Sequence, residues 1–182
     1  SMFLEHGYRM NVEAIAPKAR VTRATLYKYF DNKDNLFREA VTAIAQNTIS
    51  DIRIEPGPDV YETLLRFARA FRVISLGDDS VNLYLLVLEA VRESPDLTDY
   101  VFQLSTGRLL AELSAYLKSQ MEAGRIRAVD PYLAAEWFLA STRGFAGTRL
   151  LFGVSPGTPE RENQYLTEGV RVFVLGLGGE AA

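Results

Sequence analysis

Apolar residues recur along this chain at helical spacing almost throughout. From residue 36 onward, Leu36, Phe37, Ala40, Val41, Ile44, Ala45 and Thr48 fall on one face of a 3.6-residue helix. No run of several residues alternates apolar and polar, and few dipeptides have the Asn-Gly or Asp-Gly chemistry of a hairpin turn. The pattern therefore predicts an all-α chain of about nine helices. Their starts carry capping residues. Asn11 precedes Val12-Glu13-Ala14-Ile15-Ala16, Thr22 precedes Arg23–Phe30, Asp31-Asn32 lead into Lys33, and Asp130 is followed by Pro131. Glu55-Pro56-Gly57-Pro58 is the strongest break and divides residues 1–50 from residues 51–182. Beyond it, helices are predicted from Asp59 to about Ser75, from the Gly77-Asp78-Asp79 turn to about Ser94, and from there to about Ser105. Further helices run from Thr106 to Ala123, from Asp130 to about Gly153, and from Pro159 to about Leu175.

Composition narrows the chemistry. The 182 residues include no cysteine and a single histidine, His6, so thiolate metal sites, cysteine nucleophiles and two-histidine metal sites are excluded. His6 reads as a helix-end residue without chemistry. No phosphate-binding glycine loop and no nucleophile–base pair is visible, and Gly176-Leu177-Gly178-Gly179 follows a helix rather than a strand. No cofactor, catalytic residue or metal ligand is predicted. With neither an apolar run of transmembrane length nor a signal-peptide pattern, the expected location is the cytoplasm. The net charge of −3 conceals an asymmetry: residues 9–33 hold six bases against two acids, and the remainder is acidic. A basic head on an acidic body is a pattern to test for nucleic-acid contact.

Two helices joined by a turn of a few residues, the second short, basic and capped by Thr22, describe a helix-turn-helix. Its polar residues between Thr22 and Lys28 could reach base edges and phosphates, while Leu26 and Phe30, four apart, face the other way as anchors. A solvated amphipathic helix pair would look the same on charge alone. The residues add more than charge: Phe3-Leu4-Glu5-His6-Gly7-Tyr8, Ile15-Ala16, Ala19-Arg20-Val21-Thr22 and Leu26-Tyr27-Lys28-Tyr29-Phe30, followed by Lys33 and Leu36-Phe37. This block resembles the DNA-binding head of the tetracycline-repressor (TetR) family of bacterial transcription regulators. Glu89-Ala90, Ser94-Pro95-Asp96-Leu97, Gly124-Arg125-Ile126 and Asp130-Pro131 resemble the AefR-like version of its C-terminal domain.

The resemblance implies a helix-turn-helix domain over 1–50 and a ligand-binding and dimerisation domain over 51–182. It implies Thr22 as the cap of a recognition helix, Arg23 and Thr25 as base readers, and Ala24 against the groove. Asn11, Tyr27, Tyr29 and Lys33 would meet phosphates, and Lys28 either partner. Arg20 stands where the family usually has glycine, so a positive φ there would carry strain. The chain as given opens at Ser1, within what the resemblance makes the first helix. The implied function is a ligand-responsive regulator, a repressor released from a palindromic double-stranded DNA operator by a small apolar or amphipathic effector. The helix from Lys33 to about Ile52 would act as lever between head and body.

The body's aromatic residues fit either a core or a pocket. Phe67, Phe71, Trp137, Phe138, Ser141 and Arg143 are the candidate effector-binding residues, and Arg143 could instead pair with an acid at a subunit interface. Leu166, Gly169, Val170, Phe173, Val174 and Leu177 form one stripe of the last helix, and Gly144 and Gly147 permit close approach in the helix before it. A homodimer through these two helices is the expectation, with internal packing of the stripe as the alternative. A pocket alone would also suit a helical carrier, an enzyme or an interaction module for an apolar metabolite that does not bind DNA.

Overall fold

The computed structural model describes residues 2–49, 52–91 and 94–179. It is all-α, with no strand among the described residues. The chain packs as two compact units, Ser1–Ile49 with Asp78–Ser105, and Ser50–Gly77 with Thr106–Ala182. The division at residue 50 read from the Pro/Gly break thus differs from the division by packing, because the segment 78–105 joins the head. Residues 50 and 51 lie outside the described ones, as does the side chain of Thr48.

The first unit holds α1 (Met2–His6), a 3-10 turn (Val12–Ala14), α2 (Ile15–Lys18), α3 (Arg23–Tyr29), α4 (Lys33–Ile49), α6 (Asp78–Ala90) and α7 (Pro95–Phe102). The heptad-like face of α4 predicted from sequence is its packing face. Leu36, Phe37, Val41 and Ala45 are buried, and Ala40 and Ile44 pack at the margin. Phe37 is fully enclosed, with the rings of Phe3 and Tyr8 edge-on at 5.0 and 4.8 Å. Burying such a ring contributes about 2–3 kcal/mol. Leu83, Leu86 and Ala90 of α6, with Leu97 and Val101 of α7, complete the core. Asn32 Oδ1 accepts from the Asn35 N–H at 2.8 Å and so starts α4.

The second unit holds α5 (Val60–Ser75), α8 (Arg108–Glu122), α9 (Pro131–Leu151) and α10 (Pro159–Gly176). The starts of α5, α9 and α10 are the predicted ones. Asp59 accepts from Glu62 N–H, Asp130 from Tyr132 and Leu133 N–H, and Thr158 from Arg161 N–H. The break after α8 falls at Gly124, in the left-handed region at φ 69°. Two details differ from the sequence reading. The expected break near Ser105 is absent, because a π-helical turn at Gln103–Gly107 carries α7 into α8. The Pro/Gly segment is also pinned: Arg66 Nη2 donates to the Glu55 carbonyl at 3.1 Å, and Gly57 N–H donates to the Thr63 hydroxyl at 3.1 Å.

Candidate nucleic-acid interface

The short recognition helix is defined at its start by chemistry that the sequence supplies. Thr22 is extended (φ −80°, ψ 157°), and its hydroxyl accepts from Thr25 N–H at 3.1 Å and shares a 2.8 Å hydrogen bond with the Thr25 hydroxyl. Leu26 is buried and Phe30 packs against the same core, so α3 is anchored by one face. The opposite face is open: Thr22, Arg23, Ala24, Tyr27, Lys28 and Tyr29 are exposed, Tyr29 to 74%, and Thr25 is half-buried. Apart from the partly covered Thr25, the polar candidates of α3 are therefore all open to solvent.

The turn before α3 is set by Arg20. Its φ is +56°, the only positive value at a non-glycine residue among the described ones. Arg20 N–H donates to the Pro17 carbonyl at 3.1 Å and Val21 N–H to the Ala16 carbonyl at 3.0 Å. Those two bonds form a Schellman motif that closes α2 and re-aims the chain into α3. The motif ordinarily places glycine at this position, and an arginine in it carries the strain expected from the sequence.

Three candidates have protein partners that periodicity did not reveal. Asn11 Oδ1 accepts from Glu13 N–H at 2.9 Å, leaving its amide nitrogen as donor. Arg23 Nη1 lies 2.5 Å from Glu13 Oε1, and its guanidinium carbon sits 5.6 Å from the Tyr27 ring centroid. Lys33 is half-buried with Nζ 4.4 Å from the Tyr8 ring centroid, while the Tyr8 hydroxyl donates to Asp34 Oδ1 at 2.5 Å. Glu89 of α6 accepts from Tyr8 N–H at 3.0 Å, which ties the loop after α1 to a helix distant in sequence. Nothing in the local sequence announces this contact of Glu89, because its partner is a backbone group 81 residues away. His6 ends α1.

In the second unit the six effector candidates do not converge. Phe67 and Phe138 are buried in the core, 6.2 Å apart, and Phe71 stacks on Phe67 at 6.4 Å. Trp137 is 54% exposed on the outer surface, and Arg143 lies along its own helix beside Gly147. Only Phe138 and Ser141 line a cleft of about 430 Å³ between α9 and α10, with Arg161, Gln164, Tyr165 and Glu168 among its polar walls. Those four were missed because the sequence reading followed the apolar stripe of the last helix. That stripe packs inside its own unit: Leu166, Val170, Val174 and Leu177 are buried, and Phe173 meets Phe138 at 5.0 Å. Apolar residues of these helices that do face outward include Leu133, Trp137, Phe145, Val172 and Leu175, with Phe152 just past the end of α9. Among the described residues no acid or histidine cluster is placed to hold a metal, and no helix is long and apolar enough to cross a membrane.

Comparison with known proteins agrees with this architecture. A model of bacterial regulatory proteins of the tetR family matches residues 1–40, and one described as the C-terminal domain of AefR-like transcriptional repressors matches residues 62–176. The HTH-type transcriptional regulator YhgD of Bacillus subtilis (strain 168) is 24% identical over 140 residues, 73% of this chain and 70% of that protein. The structure of the flavonoid-responsive regulator FrrA superposes with a TM-score of 0.85 at 26% identity, covering 96% of this chain and 90% of FrrA. That of AibR, in complex with isovaleryl coenzyme A and operator DNA, does so at 0.62 with 18% identity over 94% and 91% of the two chains. The chain belongs to the tetR family of bacterial regulatory proteins, and it is a transcriptional regulator with a DNA-binding N-terminal domain rather than an enzyme.

Proposed function

We propose that this regulator is a homodimeric repressor that reads a palindromic operator with α3 and is released by a small apolar or amphipathic effector bound in its body. The observation that carries the reading is the exposure of α3: a capped, core-anchored helix that leaves Arg23, Ala24, Tyr27, Lys28 and Tyr29 open to solvent. In this reading Arg23 and Thr25 contact base edges, and Thr22, Tyr27, Tyr29, Asn11 and Lys33 contact phosphates. Lys33 then leaves the Tyr8 ring for a phosphate, or bridges the two. Effector control requires that the effector bind one of two conformations more tightly, since equal affinity shifts nothing. FrrA, named as flavonoid-responsive, supports an aromatic effector, and AibR, seen with isovaleryl coenzyme A and operator DNA, supports an amphipathic one that carries a short apolar acyl group. In this reading the effector enters the α9–α10 cleft at Phe138 and Ser141, behind which Phe67 and Phe71 stack.

The test begins with selection of duplexes from a random-sequence pool. Fluorescence anisotropy of an enriched and a scrambled duplex at two salt concentrations then separates specific from general binding. An inverted repeat bound by two subunits, at least about a thousandfold tighter than the scrambled duplex, is the expected result. Equal binding to both duplexes would remove the operator-reading role.

A further inference from the structure

We infer that Glu13 is a positioning residue for base reading, holding the Arg23 guanidinium at the edge of α3 so that it addresses a base instead of the nearest phosphate. This rests on the reading of Arg23 as a base contact. Glu13 and Asp31 are the only acids between Arg9 and Lys33, and Glu13 is the one that meets a candidate base reader. The 2.5 Å contact of its Oε1 with Arg23 Nη1 holds the guanidinium from one side, and the Tyr27 ring, 5.6 Å away, flanks it from another. The backbone that carries the carboxylate is itself held, because the Asn11 side chain accepts from the Glu13 backbone N–H at 2.9 Å and the residue lies within the 3-10 turn Val12–Ala14.

The chemistry follows from the shape of the group. A guanidinium has five N–H donors in a fixed fork, so a carboxylate at one Nη leaves donors on the other nitrogens for a bidentate contact of the kind made to guanine. A free arginine on a basic face is drawn to phosphates, which carry no sequence information. Glu13 opposes that pull twice: it offsets the arginine's charge, and it fixes where the fork points. The side chains are 65% and 48% exposed, and at such exposure an ion pair contributes little to folding. Its effect is on the interface, lowering general affinity while raising discrimination.

The experiment compares the full chain with E13Q, R23A and the double variant, after circular dichroism shows equal helix content. Each is put through selection from the random duplex pool, and its affinity for the enriched and the scrambled duplex is measured across salt. E13Q is expected to bind the scrambled duplex severalfold more tightly, with a salt slope steeper by about one. Its ratio of enriched to scrambled affinity falls about tenfold, the scale of one base contact. The base position whose preference it loses is the position lost in R23A, and the double variant matches R23A there. If E13Q raises both affinities alike and keeps the full base preference, while R23A loses one position, the positioning role of Glu13 is overturned and Arg23 stands. If R23A also keeps every preference, the assignment of Arg23 falls, and that of Glu13 with it.

Discussion

Arg20 shows how one side chain can disagree with the backbone it occupies. A non-glycine residue in the left-handed region costs roughly 1–2 kcal/mol, and glycine there gives back about 0.5–1 kcal/mol through its larger unfolded-state entropy. Arg20→Gly should therefore stabilise the head by about 0.5–1 kcal/mol, raising the thermal midpoint followed by circular dichroism by about 1–4 °C. The same change removes a positive charge from the turn next to α3, so binding to a scrambled duplex should weaken while the base preferences stay. A midpoint that falls would mean that the arginine side chain contributes more than its backbone strain removes. The departure at Arg20 was legible only through the family resemblance, since an arginine by itself says nothing about φ. What sets the sign is the pair of bonds from Arg20 and Val21 back to Pro17 and Ala16, which needs the helix already formed. Thr22 is the opposite case: its cap was readable directly, because the hydroxyl's partner is three residues away.

At the scale of elements, α9 was read as one continuous helix, and it is not. Gly144 stands at φ 53° and ψ −161°, which interrupts the helix. The carbonyls before the break need donors from elsewhere. The Tyr165 hydroxyl donates to the Ser141 carbonyl at 2.7 Å, and Arg72 of α5 donates to the Thr142 and Arg143 carbonyls. Arg72 is buried, donates to Glu162 of α10 through Nε and Nη2, and lies 4.7 Å from the Tyr165 ring centroid. Three helices are thus joined at one kink. Removing one partner of such a pair strands the other charge, so Arg72→Ala should cost about 3–5 kcal/mol in urea denaturation. Tyr165→Phe deletes one neutral hydrogen bond and should cost about 1 kcal/mol. Equal losses for both variants would show that the Arg72–Glu162 pair is not what holds the kink. The Arg72–Glu162 pair was not legible in the sequence, because Arg72 sits within an amphipathic helix and its carboxylate partner is 90 residues on. Periodicity reports which face of a helix is apolar. It does not report where a glycine breaks the backbone, nor which distant side chain answers.

For the whole molecule, the all-α class, the helix starts and the core face of α4 were legible because each depends on neighbours in sequence. The packing of α6 and α7 with the head was not, because their partners on α1 and α4 are long-range. The surface for the proposed homodimer belongs to the same scale. The stripe from Leu166 to Leu177 has the right spacing to bury; Leu166, Val170, Val174 and Leu177 do so inside their own unit, while Gly169 and Phe173 stay partly exposed. On α9, Trp137 and Phe145 are eight residues apart and 54% and 79% exposed, and α10 adds Val172 and Leu175 at 69% and 54%. A stable dimer needs about 800 Å² of such surface from each partner, and large aromatic residues supply most of the energy at its centre. Phe145→Glu should then leave the fold of the single chain within about 0.5 kcal/mol, because the side chain is already in solvent. It should convert a two-subunit species into a one-subunit species in sedimentation velocity. Trp137 is the chain's sole tryptophan and provides an independent signal. Dilution of the native protein should shift its emission to the red as the interface opens, whereas Phe145→Glu should start at the red limit and not move. A two-fold reader spaces its heads about 34–36 Å apart, so the monomeric variant should also hold only half of an inverted repeat. A Phe145→Glu protein that remains dimeric, with its tryptophan unshifted, would place the interface on a face other than the one formed by α9 and α10.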